Sequence, residues 1–150
     1  MKKFKFSLQK LLDIKNSSLE LLKLEISKLN SQIENLKDEI ESLTNEISKA
    51  QKRMDEGLTG VKLILEWMNY IQSLYRERKE KVSELVSLEK RLDELRDKYT
   101  KLYHEQKALE KLKELQKNSH DLEVLRQEQK IMDDIALERT MRKKENRSQF

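Results

Sequence analysis

The chain has no cysteine, no proline and only two glycines, Gly57 and Gly60. Lacking cysteine, it can hold neither a disulfide framework nor a thiolate metal site, and a reducing compartment suits it. Lacking proline, it has nothing to break a helix from within. Aromatic residues make up 5% and hydrophobic residues 36% of the 150 positions. That is too little to fill a core several layers thick, yet enough for the seam between two helices. Long apolar runs are missing as well. The longest, such as Leu63-Ile64-Leu65, reach three residues, so no membrane-spanning helix is expected. The opening Met1-Lys2-Lys3-Phe4-Lys5-Phe6 carries positive charge but no apolar centre of a signal peptide, and a cytoplasmic location is expected.

The chemistry of an enzyme is absent too. Two glycines with no following Lys-Ser/Thr pair cannot form a phosphate-cradling loop. His104 and His120 stand 16 apart with neither cysteines nor a His-Glu-x-x-His pattern, so a zinc site is not expected. Acidic residues abound, but a two-helix seam offers no concave, water-excluding pocket in which their pKa values could be driven apart. The reading is of a protein with no catalytic residue, no cofactor and no metal, and not an enzyme.

What the sequence does contain is charge and period. Charged residues are 40% of the chain, 32 basic against 28 acidic for a net +4, and the signs are interleaved. Interleaving reads as a solvated helix surface, whereas nucleic-acid binding would gather the basic residues into one stripe. From Leu8, positions 8, 12, 15, 19, 22, 26, 29, 33, 36, 40, 43, 47, 50 and 54 follow an unbroken 4-3 spacing, apolar at every step except Lys15. Such a repeat specifies a left-handed coiled coil. It meets Asp55-Glu56-Gly57-Leu58-Thr59-Gly60, where two glycines should stop a helix. The spacing resumes at 64, 67, 71, 74, 78, 81, 85, 88, 92, 95, 99, 102, 106 and 109.

The expected fold is therefore all-α: a long two-helix antiparallel coiled-coil hairpin with a C-terminal helical overhang, forming one elongated domain over 1–150. Helix 1 is expected at about 4–56, the turn at 57–60, helix 2 at 61–143 and a flexible tail at 144–150. In the preferred register, facing residue numbers total 121, which sets Met54 against Trp67, Ala50 against Ile71, Ile33 against Leu88 and Lys15 against Gln106. A register totalling 114 ranks second. A parallel homodimer is the rival, because Ile at a with Leu at d in helix 1 favours two parallel strands. Its g to e′ pairs, among them Glu25/Asn30 and Gln32/Lys37, include no opposite charges, so a monomer is preferred.

The repeat fails in two places. Arg78 and Lys81 fall on the seam, opposite Leu43 and Ile40. Either their heads reach water, or a stutter substitutes Tyr75 and Val82, or the segment is loosened and exposes Ile40 and Leu43 to a partner. Secondly, helix 1 spans about 80 Å and helix 2 about 125 Å at ~1.5 Å per residue. Phe4 then lies opposite about residue 117, which leaves Leu122, Leu125, Met132, Ile135 and Ala136 uncovered. An isolated helix is marginal in water, so this overhang is expected to order on another protein. Its mixed charges, including Arg126, Asp133, Asp134, Glu138, Arg139 and Arg142, suit a protein surface better than phosphate or lipid.

Three segments carry a resemblance. Phe4-Lys5-Phe6-Ser7-Leu8-Gln9-Lys10-Leu11-Leu12-Asp13-Ile14-Lys15, then Trp67-Met68-Asn69-Tyr70-Ile71-Gln72, and lastly Glu128-Gln129-Lys130-Ile131-Met132-Asp133-Asp134-Ile135-Ala136 followed by Arg139 and Arg142 resemble, in order, the opening, middle and closing motifs of the FliJ family. The resemblance implies a non-enzymatic stalk of the flagellar type III protein export apparatus, similar to the central stalk of rotary ATP synthases. The implied partners are the hexameric export ATPase, the membrane export gate protein and export chaperones. It would sit at the cytoplasmic face of the inner membrane through those partners. Trp67, Tyr70 and Leu74 near the turn are expected to contact the gate, with Tyr70 the exposed anchor. Arg126, Met132, Asp133, Asp134, Ile135, Arg139 and Arg142 are expected on the ATPase side. The alternatives are a nucleic-acid-binding coiled-coil arm and a parallel homodimeric scaffold.

Overall fold

A computed structural model describes residues 3–57 and 60–148. Helix α1 spans Gln9–Asp55 and helix α2 spans Val61–Ser148, and no strand occurs among the described residues. The two long helices pack against each other. The chain divides into two compact units, Ser17–Tyr103 and the combination of Met1–Asn16 with His104–Phe150.

In Ser17–Tyr103 the 4-3 stripe is the core. Leu29, Ile33, Leu92 and Leu95 form one buried cluster, with Leu22, Ile26, Leu85 and Leu88 packed on it. Leu43, Ile47 and Leu74 form a second. These are a and d residues from both helices, as knobs-into-holes packing requires. The facing numbers total 120 in the Lys81–Glu39 ion pair and 122 in the hydrogen bond from Arg78 to Thr44, so the register is the one near 121, not 114. Asp55 ends α1 and Gly57 follows at φ 111, a left-handed conformation that costs a residue with a Cβ dearly. Gly60, at φ 104, offers the carbonyl that accepts the first hydrogen bond of α2, from Ile64 N at 3.1 Å. Leu58 and Thr59 of the expected turn lie outside the described residues.

The irregular segment is not loosened. Leu43 is 7% exposed, and Arg78 and Lys81 keep their seam positions half-buried while Tyr75 and Val82 stay at the surface. Their heads reach out of the seam. Lys81 Nζ donates to Glu39 Oε2 at 2.8 Å, and Arg78 donates to Thr44 Oγ1 at 3.3 Å with its guanidinium 4.9 Å from the Tyr75 ring centroid. The hydrogen bond to Glu39 holds the Lys81 ammonium above its ordinary pKa.

In the other unit, α1 opens five residues later than the expected residue 4. Residues 7 and 8 form a turn, with Gln9 N donating to Phe6 O at 3.1 Å and Leu12 N to Leu8 O at 3.0 Å. The cause is the identity of residue 5. A helix continued backward from Leu8 would place Lys5 at the next seam position, whereas a non-helical chain turns Phe6 inward instead. Phe6 is 7% exposed and Leu8, nominally on the stripe, is 37% exposed. Non-helical chain also advances faster than the ~1.5 Å per residue of a helix. Phe4 accordingly reaches His120, with ring centroids 5.7 Å apart, beyond the expected residue 117. Lys15 and Gln106 both sit at the seam, but each finds another partner: Lys15 Nζ donates to Glu105 at 2.7 Å and Gln106 Nε2 to Glu110 at 2.6 Å. At the far end α2 remains helical through Ser148, where a flexible tail was expected from 144; residues 149 and 150 lie outside the described residues.

Candidate functional site

The turn-proximal end of the Ser17–Tyr103 unit carries an aromatic platform. Trp67 and Tyr70, three apart on α2 and hence on one face, meet edge-on with centroids 5.7 Å apart and planes at 87°. The Arg53 guanidinium of α1 lies 5.7 Å from the Trp67 centroid, within cation–π reach. Trp67 is half-buried, while Tyr70 is 46% and Met68 47% exposed. The two rings line open depressions, one of about 310 Å³ with Glu66 and one of about 250 Å³ with Glu46, Lys49, Ala50 and Arg53. Such open dishes can seat a protruding side chain but exclude little water. Leu74, also expected as a contact, is 5% exposed and packs with Ile47 and Leu43 in the seam, so it supports the platform from beneath.

The second surface lies on α2 in the unit made by Met1–Asn16 and His104–Phe150. Met132 is 66% and Ile135 46% exposed, and Leu122 and Leu125 are as open. Arg126, Asp133, Asp134, Arg139 and Arg142 are exposed around them. Arg142 donates to Glu138 at 2.9 Å and Gln129 to Asp133 at 3.0 Å, both pairs four apart along the helix. Ile131, Leu137 and Met141 extend the apolar exposure. Sequence reasoning passed over Leu137 and Met141, and took in Ile131 only as part of the closing motif. It also passed over Leu11, Ile14, Leu21 and Leu24 on α1, which are 42–67% exposed and whose 3-7-3 spacing was visible.

Among the described residues no three His, Asp or Glu side chains are grouped to hold a metal ion, and no helix is long and apolar enough to cross a membrane. Among the described residues the arrangement offers two apolar, charge-rimmed surfaces, the first of them with open depressions beside it. Such surfaces recognise other proteins.

No curated protein and no solved structure matches the chain. The family described as Flagellar FliJ protein matches residues 4–145, nearly the whole length. With a two-helix coiled coil whose seam runs through that same stretch, the chain belongs to the FliJ family and is a component of the flagellar protein export apparatus.

Proposed function

We propose that this chain is the non-catalytic stalk that couples the export ATPase hexamer to the membrane export gate, with export chaperones as further partners. The observation that carries this reading is the open apolar face of α2 at Leu122, Leu125, Met132 and Ile135, 46–66% exposed, in the unit made by Met1–Asn16 and His104–Phe150. An exposed face of this kind is stabilised by burial against a partner, and its mixed charges fit a protein surface. The ATPase engages this face, with Arg126, Asp133, Asp134, Arg139 and Arg142 as its polar rim. The gate engages Tyr70 and Trp67. All ATP chemistry belongs to the hexamer, and this chain acts as a monomer that transmits force or conformation, held at the cytoplasmic face of the inner membrane by its partners alone.

The experiment is to add the purified chain to the hexameric export ATPase and follow binding and ATP hydrolysis. Stimulation by the full chain that is lost in a Leu125→Asp/Ile135→Asp variant supports the reading. Equal binding by both proteins, or no binding by either, removes it.

A further inference from the structure

A second 4-3 stripe begins on α2 where the first one gives out. Beyond Leu109 the seam positions are Lys113, Gln116, His120, Glu123 and Gln127, all polar. From there Leu115, Leu122, Leu125, Met132 and Ala136, with Asn118 and Gln129 between them, make an unbroken alternation of three and four, while Val124, Ile131, Ile135, Leu137 and Met141 lie off it. At 3.6 residues per turn this stripe lies on the side of α2 nearly opposite the seam. It is open along its length: Leu115 is 59%, Leu122 55%, Leu125 60% and Met132 66% exposed.

A stripe with this spacing is one half of a coiled-coil seam, so what covers it is another heptad-bearing helix. The flanking charges indicate which. If a second copy lies antiparallel so that Leu125 faces Ala136 and Gln129 faces Met132, Arg126 faces Asp133 and Asp121 faces Arg142. Two-fold symmetry repeats each pair, which gives four opposite-charge pairs and no like-charge pair. Sliding one heptad sets Arg126 against its own copy in one direction and Asp133 against its own copy in the other. A parallel arrangement sets Glu128 against Asp133 and Asp121 against Arg126, so its one attractive pair is offset by a repulsive one. Within one chain neither Asp121 nor Arg126 forms an ion pair among the described residues; their counterparts Arg142 and Asp133 hold exposed contacts four apart along the helix, to Glu138 and Gln129, which the pairing would exchange.

We infer that the chain self-associates reversibly through this face, a second copy lying antiparallel and centred between Lys130 and Ile131. Gln129 at the centre and Arg139 opposite Leu122 keep the pairing weak, because each places a polar group in the seam at a cost in stability. The dimer hides the face from other helices until one displaces it. The pairing does not depend on which partner that is.

Sedimentation velocity of the full chain over rising loading concentration tests it. Dimer should accumulate with concentration and recede at high salt, since four ion pairs flank the contact. Arg126→Asp should weaken dimerisation about tenfold or more, and adding Asp133→Arg to that variant should restore it to within about threefold, because the pair is regenerated with reversed sign. Both residues are exposed, and circular dichroism confirms that the variants keep their helices. A chain monomeric at every concentration, a dimer indifferent to Arg126→Asp, or a double variant that is not rescued overturns the inference. A wild-type chain that dimerises as described yet does not bind the export ATPase would count against the stalk reading alone.

Discussion

At Arg78 and Lys81 the seam gives up burial for reach, and both residues should reveal it in melting experiments. Replacing Arg78 by Leu puts an apolar side chain opposite Leu43 and should raise stability by about 1 kcal/mol, read as a higher melting temperature. Lys81 has its pKa raised above 10.5, chiefly by the hydrogen bond to Glu39. Its contribution is therefore complete below the unfolded value and disappears as pH rises through the higher folded one. In strongly alkaline solution the wild type should lose stability that Lys81→Met retains, and parallel melts from neutral pH upward would show the two curves converging. At Gly57, φ 111 with open space around the missing Cβ means that Gly57→Ala meets no clash, only backbone strain. A loss of about 1–2 kcal/mol is expected. Much of this was legible in residue order. Positions 12 to 54 of the first stripe are all buried or half-buried, as their spacing demands. Leu8 failed because a heptad frame cannot tell that Phe6, off the frame, packs better than Lys5 on it.

At the scale of the element, α2 carries two apolar stripes in succession. Its apolar face points to α1 as far as Leu109 and away from it from Leu115 onward. A change of face without a break in the helix needs neither proline nor glycine, only a shift in which residues are apolar. The overhang and most of its apolar residues were readable from helix lengths and residue order, whereas the side of α2 on which they open was not, because the seam frame ends at Leu109 and gives no direction beyond it. The platform at Trp67 and Tyr70 shows the same limit. Spacing put Trp67 on the seam and left Tyr70 off it and open, but only the structure brings Arg53 over the Trp67 ring. Tyr70→Ala should leave the melting temperature within about a degree or two, since little is buried there, yet weaken gate binding about tenfold or more as a central aromatic anchor does. Titration against the cytoplasmic part of the gate would measure it.

At the scale of the molecule, everything described follows from the chain turning back at Gly57 and Gly60 so that α1 and α2 share one seam. The absence of cysteine makes that directly testable. Ile33 and Leu88 belong to one packed cluster, from opposite helices. Ile33→Cys and Leu88→Cys introduced together, and oxidised at low protein concentration, should form a disulfide within one chain. Its mass under denaturing conditions would remain that of the monomer and its melting temperature would rise as the unfolded chain is constrained. A covalent dimer as the sole product, or no bridge at all, would contradict the hairpin.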